Sequence, residues 1–344
     1  MDYQKILLLG PRSNIKNPKL TGGEIILFEQ LIKDLGKLGL GVLVIDTNMS
    51  NYTNIIFGII QIYLQIFKKI RLVDHISLHG TIKSYLYIAP FVVLMAKIAK
   101  KKSSLRKFAG SFHEFYERSG KLKKKLISMV LKNADFTFYE TKYLVDYFSK
   151  WNERTYWFPN VRERGIIPEV PRSFRRKFVF ISHVIKSKGI DIILEASEKF
   201  DESYTFDIYG PILSDDYTPE ELSGRNVCYK GPLHAEEVLE VLNNYDVLML
   251  PSFKEGYPGI ILEAYSLGIP IISTSLASIE EICDSGKEGF LIEPGNTEQF
   301  CKAVLSFNSA TYGELSLNAF NRFEFFDSES FASKFYKIIT SSEC

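Results

Sequence analysis

The chain has 344 residues, of which 46% are hydrophobic and 24% charged, with a formal net charge of +1. That balance fits two ordinary domains or one large α/β domain and excludes a disordered polymer, a collagen-like fibre and a small disulfide scaffold. Cys228, Cys283, Cys301 and Cys344 show no C-x-x-C or Cys/His spacing, so neither a zinc site nor a disulfide framework is expected, and the compartment reads as reducing.

The predicted elements alternate between strand and helix. Residues 5–9 (KILLL) form an apolar run stopped by Gly10-Pro11, the pattern of a buried parallel strand. Helical periodicity follows over 24–38, with Gly39 as a stop, and 41–46 reads as the second strand. The apolar stretches 54–67 and 85–99 fall short of the roughly 20 residues of a spanning helix. The first carries Gln61 and Gln65, the second Pro90 and Lys97, so buried or surface-dipping helices are expected. No signal peptide is read from Met1 to Lys5. Alternation continues through 75–79, 82–98, 107–112, 121–131 and 136–139. It breaks near Phe158-Pro159-Asn160, and the charged, aperiodic stretch 162–176 with Pro168 and Pro171 reads as a linker.

The second half repeats the pattern. Strands are expected at 177–182, 205–209, 227–230, 247–250, 269–273 and 290–292. Helices are expected at 190–200, 235–243, 259–267 and 298–306, with a last one over 328–339. The fold class is therefore α/β, with two doubly wound Rossmann-like parallel sheets facing across a cleft. Residues 1–160 and 161–325 are the expected domains, and 326–344 the expected helix that returns to the first.

The near-neutral total hides an asymmetry. Residues 1–164 hold 27 Lys and Arg against 13 Asp and Glu, and 165–344 hold 15 against 28. Much of the positive charge lies between Lys97 and Lys132, including Lys100-Lys101-Lys102, Arg106-Lys107, Lys121 and Lys123-Lys124-Lys125. With Phe91–Met95 and Leu126-Ile127 beside it, this reads as an amphipathic surface for anionic lipid or a phosphorylated acceptor. No nucleic-acid-binding module accompanies the charge, so nucleic acid is not an expected partner.

Gly10-Pro11-Arg12 lacks the G-x-G-x-x-G of a dinucleotide site, and no Walker A sequence occurs. Thr21-Gly22-Gly23-Glu24 opens the first helix, either as a simple turn or with bare amides that a phosphate can approach. The informative segment is 251–270, PSFKEGYPGIILEAYSLGIP. Its loop, at the carboxyl end of a strand, carries Glu255, Gly256, Tyr257, Pro258 and Gly259, and the helix after it carries Glu263. Such carboxylates suit a sugar's paired hydroxyls. Glu280 and Glu288 share the spacing but read as surface charge. Cys228 and Cys283 read as packing residues.

This segment resembles the signature of retaining glycosyltransferases of family 4, also called group 1, which have the GT-B fold. Four further stretches of the second half resemble that family: 181–196 (ISHVIKSKGIDIILEA), Asp207-Ile208-Tyr209-Gly210, Tyr229-Lys230-Gly231-Pro232-Leu233 and 289–296 (GFLIEPGN). In the first half the likeness rests on Thr21-Gly22-Gly23, Ser111-Phe112-His113-Glu114 and Pro159-Asn160. The resemblance implies that Glu255 binds donor-sugar hydroxyls and Glu263 the ribose. Amides of the Gly256–Gly259 loop, Pro258 excepted, would help hold the sugar, with Tyr257 among the donor-binding residues. Lys188 would neutralise the donor diphosphate as the glycosidic bond breaks. Gly210 and Leu233 would border the nucleotide, Gly22 and Gly23 would approach phosphates or acceptor, and His113 would sit by the reacting sugar.

Two positions depart from the family pattern. Ser182-His183 stands where an arginine is common, so either His183 is a pH-dependent phosphate partner or Lys186 supplies the charge. The linker reads P-N-V-R, not P-N-G. The resemblance implies sugar transfer from a nucleotide-sugar donor to an acceptor hydroxyl with retention, by front-side attack. No cofactor and no metal are expected, since no Asp-x-Asp sequence suggests a bound ion. By analogy the acceptor is a polyprenyl-diphosphate-linked saccharide of bacterial O-antigen or capsule, used at the cytoplasmic face of the membrane. The alternatives are a GT-B nucleotide-sugar epimerase and a non-catalytic nucleotide-sugar-binding protein.

Overall fold

The structure, a computed structural model, describes residues 5–15, 22–108, 110 and 112–341. Met1–Gln4, Thr21, Ser111 and Cys344, named above, lie outside the described residues. The chain divides into two compact units: Met1–Glu163 with Ser328–Cys344, and Arg164–Asp327. The boundaries fall at 163/164 and 327/328.

The first unit contains β1 (Ile6–Gly10), α1 (Gly23–Lys37), β2 (Val42–Asp46), α2 (Ile55–Lys69), β3 (His75–Gly80), α3 (Ile82–Tyr87), α4 (Ala89–Ile98), β4 (Lys102–Lys107), α5 (Phe112–Arg118), α6 (Lys121–Asn133), β5 (Phe136–Tyr139), α7 (Lys142–Ser149) and β6 (Thr155–Trp157). Its six strands are all parallel, in the order β2-β1-β3-β4-β5-β6. One face of the sheet, with Leu7, Leu9, Ile76 and Leu105, packs on Ile62 and Ile66 of α2, Val92 of α4, Ile127 of α6 and Phe148 of α7. The other, with Ile6, Leu8, Phe136 and Phe138, packs on Leu27 and Leu31 of α1 and on the far C-terminal residues Phe331 and Phe335.

Three features differ from the sequence expectation. The fourth strand lies at Lys102–Lys107, not 107–112. It reads KSSLRK, and Ser103, Ser104, Arg106 and Lys107 are buried in it, so no apolar run marks it. A chain of polar contacts satisfies part of this interior: His75 Nε2 to Ser104 Oγ at 2.8 Å, Ser104 Oγ to Ser77 Oγ at 2.7 Å, and Ser77 Oγ to His79 Nε2 at 2.9 Å. The helix expected over 82–98 is two helices divided at Ile88, where Pro90 stands in the first turn of α4. The short strand β6 and helix α7, N-capped by the Thr141 hydroxyl, had no clear pattern.

The second unit contains β7 (Lys177–Ile181), α8 (Ile190–Ser197), β8 (Thr205–Tyr209), β9 (Val227–Gly231), α9 (Val238–Leu242), β10 (Val247–Leu250), α10 (Gly259–Ser266), β11 (Ile271–Thr274), α11 (Ala277–Glu280), β12 (Gly289–Ile292), α12 (Thr297–Ser306) and α13 (Tyr312–Arg322). Its parallel sheet runs β12-β11-β10-β7-β8-β9. Buried Asp246 fixes the entry to β7. Its carboxylate accepts from the Arg175 and Lys177 amides at 2.7 and 2.9 Å and pairs with the Arg175 guanidinium. The Arg164 guanidinium stacks on Phe320 and Phe323 at 3.8 and 4.6 Å and donates to the carbonyls of Ser266 and Phe320. The final helix, α14 (Ser328–Thr340), belongs to the first unit. There Phe335 meets His79, Phe138 and Phe158, and Gln30 Nε2 donates to Ser328 Oγ at 3.3 Å.

Candidate active site

In the second sheet the strand order reverses between β7 and β10, which pair directly. The loops leaving neighbouring strands at such a point run in opposite directions and open a crevice at the carboxyl edge, where open α/β sheets bind ligands. Lys188 is in the loop after β7 and Glu255 in the loop after β10, and the crossover brings them together. Lys188 Nζ donates to Glu255 Oε1 at 2.7 Å, with the side chains 19% and 9% exposed.

The two loops are fastened to each other. The Phe253 amide donates to the Ser187 carbonyl at 2.9 Å. Gly189 has φ +75°, and a Cβ there would lie 2.1 Å from the Pro251 carbonyl oxygen, so only glycine lets the loops approach this closely. Ser252 Oγ donates to Glu255 Oε1 at 2.7 Å, and Ser278 Oγ to the Glu255 carbonyl at 3.1 Å. Thr274 Oγ1 in turn donates to the Ser252 carbonyl at 2.7 Å. Glu255 is thus oriented by a cation and a hydroxyl on one oxygen, with its own backbone held from α11 and that of Ser252 held from β11.

The other second-unit positions line the same edge. Pro258 precedes the first turn of α10, Gly256 and Gly259 are half-buried, and Tyr257 is buried with its ring against Phe326. The N-terminal turn of α10 carries amides that the helix itself does not engage and the positive end of its dipole. Glu263 stands one turn further along α10, partly buried. Gly210 has φ +141°, and a Cβ there would fall 1.7 Å from the Ser182 carbonyl oxygen, so β8 ends tightly against the strand that presents the exposed His183. The Gly210 amide donates to Gly231 O at 2.9 Å. Leu233 follows in a half-buried turn set by the His234–Glu237 capping box.

Gly22, Gly23 and His113 belong to the first unit. Gly22 caps α1 in an extended conformation, and a Cβ at Gly23 would meet nothing within 4 Å, leaving open backbone after β1. His113 is half-buried in α5, with its ring 4.8 Å from Tyr143 and 6.0 Å from Tyr147.

The sequence reading missed Ser252 and Ser278, whose role appears only when three loops meet. It also counted Arg106 and Lys107 as surface charge. Both are buried at the carboxyl end of β4. Burial lowers Arg106 to about 9 and Lys107 to about 8 against the opposing pull of Glu140, itself buried after β5. Of the apolar neighbours assigned to that surface, Val92, Val93, Met95 and Ile127 are core, and only Leu94 is exposed. Glu288, expected at the surface, is buried. It accepts from the Asp284 amide at 2.8 Å, and burial raises its carboxyl.

Residues 175–309 match the family model of Glycosyl transferases group 1. The matched stretch lies wholly within the second unit. A 41.2 kDa protein of the cps region of Klebsiella pneumoniae is 32% identical over 134 residues, 39% of this chain and 36% of that protein. The amylovoran biosynthesis glycosyltransferase AmsK of Erwinia amylovora is 24% identical over 42% of this chain and 41% of its own length. The matched region thus spans about two fifths of the length of these curated relatives. Over 98% of this chain and 99% of the other, the fold matches HepE of Anabaena, solved in complex with UDP, with a TM-score of 0.75 at 15% identity. The fold of the chain is GT-B, with two parallel six-stranded sheets.

Proposed function

We propose that the protein is a retaining, metal-independent glycosyltransferase that moves a hexose from a nucleotide-sugar donor to a saccharide hydroxyl. The observation that carries this reading is the Lys188–Glu255 pair at the reversal point of the second sheet, inside the region that matches the family. A paired lysine and carboxylate are poised for exchange. When a diphosphate enters, Lys188 turns from Glu255 to the phosphate oxygens. Glu255, still held by Ser252, then has lone pairs for two sugar hydroxyls.

Charge grows on the diphosphate as the glycosidic bond breaks. Lys188, already turned to the phosphates on binding, and the first turn of α10 stabilise it as groups in place before the bond breaks. Attack from the leaving-group face lets a phosphate oxygen take the acceptor proton, so the configuration is retained without a protein nucleophile. Glu263 holds the ribose and Leu233 borders the base. His183 or Lys186 supplies the further positive charge, and His113 orients the reacting sugar.

The relative AmsK works in amylovoran biosynthesis, and the relative from Klebsiella pneumoniae comes from a cps region. A bacterial cell-surface polysaccharide, capsule or O-antigen, is therefore the proposed product, with a polyprenyl-diphosphate-linked saccharide as acceptor at the cytoplasmic face of the membrane. No helix among the described residues is long and apolar enough to cross a membrane.

The test is release of nucleoside diphosphate from a panel of UDP-, GDP- and ADP-sugars in EDTA, with and without a prenyl-diphosphate-linked acceptor. Acceptor-dependent release from one donor, lost in Glu255→Gln, is expected. Release of an isomerised sugar without acceptor would establish the epimerase instead. Nucleotide binding with no turnover of any donor would establish a binding protein.

A further inference from the structure

The helix α2 is apolar on both of its faces. Gly58, Ile62 and Ile66 face the sheet and are buried. On the opposite side Ile56, Ile60, Leu64 and Phe67, spaced four, four and three apart, are 73%, 50%, 54% and 59% exposed, and Phe57 lies beside them. A helix that only closed a core would be polar on this side. The stripe continues sideways. The Tyr63 ring of α2 stacks on Phe91 of α4 at 4.0 Å, and its hydroxyl donates to the Tyr87 carbonyl. From α4, Leu94 and Ile98 are exposed, and from α6, Leu122 and Met129. Lys97 at the end of α4 bonds Asn133 at the end of α6.

The charge around this layer has one sign. None of α2, α4 and α6 contains an Asp or Glu. Residues 47–134 hold sixteen Lys and Arg and three acids. Each of those acids is already engaged: Asp74 with Lys101, Glu114 with Arg118 and Glu117 with Lys124. Lys68 and Arg71 stand exposed at the C-terminal end of α2, Lys97 on α4, and Lys121, Lys123, Lys125 and Lys132 on α6. A second copy laid on this face would set cation against cation. An anionic bilayer supplies both complements, acyl chains for the α2 stripe and headgroups for the lysines.

We infer that the outer face of the α2–α4–α6 layer is the membrane-docking surface, with α2 lying in the interface plane as the inserting element and α6 as the headgroup-binding one. The inference rests on the proposed use of a lipid-linked acceptor and specifies how the enzyme reaches it.

Flotation with phosphatidylcholine vesicles, with and without phosphatidylglycerol, tests it on the full chain. Binding is expected only with the anionic lipid. Leu64→Ser with Phe67→Ser, both exposed, lowers the partition coefficient by about tenfold or more through lost apolar insertion. Lys121→Gln with Lys123→Gln and Lys125→Gln lowers it by about a hundredfold and flattens its salt dependence. Donor turnover with a water-soluble short-chain acceptor is measured in parallel and stays unchanged in both variants. Equal flotation of the Leu64/Phe67 variant overturns the inference. So does a wild-type dimer in light scattering that this variant dissociates. Turnover of the soluble acceptor with no flotation sinks the surface and leaves the transferase standing. Flotation with no turnover sinks the transferase and leaves the surface.

Discussion

The two units are both six-stranded parallel sheets, yet only the first buries ionisable side chains within its strands; the buried carboxylates of the second, Asp246 and Glu288, stand just before β10 and β12. In the second unit the functional charges stand at the sheet's carboxyl edge, and Lys188 and Glu255 satisfy each other there. In the first, ionisable groups enter the sheet itself: His75 and His79 on β3, Arg106 and Lys107 on β4, and Glu140 after β5. The outer surface is correspondingly different, with a helix layer that carries no carboxylate. An edge site can bind and release charge without disturbing the sheet. A sheet that buries charge ties its stability to protonation. The first unit should therefore be the softer partner, and the second the fixed frame for the chemistry.

The largest expected effect falls on the frame's edge. Glu255→Gln should lower kcat/KM for donor turnover by about a thousandfold, in the range of a lost transition-state contact, with the thermal midpoint little changed. An equal loss of activity and folding would mean that the pair is a structural brace and the contrast between edge and interior is false.

Gly210→Ala strikes the frame itself. The φ of +141° and the approach to the Ser182 carbonyl predict about 3 kcal/mol or more of lost stability. Both tryptophans, Trp151 and Trp157, are in the first unit, so their emission reports that unit alone. In urea, the circular dichroism transition of this variant should move while the tryptophan transition holds. Coincident movement of both would show that the units unfold together.

Acid should reverse the pattern. Burial, with Lys102 nearby, lowers His75 to about 3, and burial, with Arg106 and His75 nearby, holds His79 well below the usual imidazole range. Unfolded histidines bind protons near pH 6.5 while these cannot. Their contribution is therefore whole above pH 6.5 and is lost progressively as pH falls below it. Each should cost roughly 1 kcal/mol by pH 5.5. The tryptophan-reported midpoint in urea should drop between pH 7.5 and 5.5, and His75→Gln should remove part of the drop. A pH-independent midpoint would show that the buried imidazoles titrate freely.

The smallest effect is expected at Arg164. Arg164→Lys keeps the charge but loses the planar stacking on Phe320 and Phe323, which should cost the second unit about 1 kcal/mol in the same urea experiment.

The second unit was the more legible in the sequence because its informative residues punctuate strand ends. Gly210, Gly231, Pro251 and Gly259 interrupt apolar runs, and the loops they mark carry the site. What could not be read was the meeting of Lys188 and Glu255. They are 67 residues apart in the chain, and only the pairing of β7 with β10 makes them neighbours. In the first unit β4 hid because its buried residues, Leu105 apart, are serines and cations, whose burial depends on partners in β3 and beside β5. The 54–67 stretch was legible as a helix that does not span a membrane. Which of its isoleucines faced inward was not, because a helix with two apolar faces gives periodicity no contrast.

The position of α14 in the first unit has a consequence for synthesis. Everything else in that unit has been translated by residue 163, but Phe331 and Phe335, which cover Phe138 and Phe158, arrive only after the whole of the second unit has been made. For the time taken to translate residues 164–327, a nascent sheet stands with one aromatic face open. Domains emerging from the ribosome generally mature in chain order. This chain inverts the sequence: the unit started first is completed last. A slow stretch of translation between the two would lengthen the exposure of that face to chaperones and to aggregation.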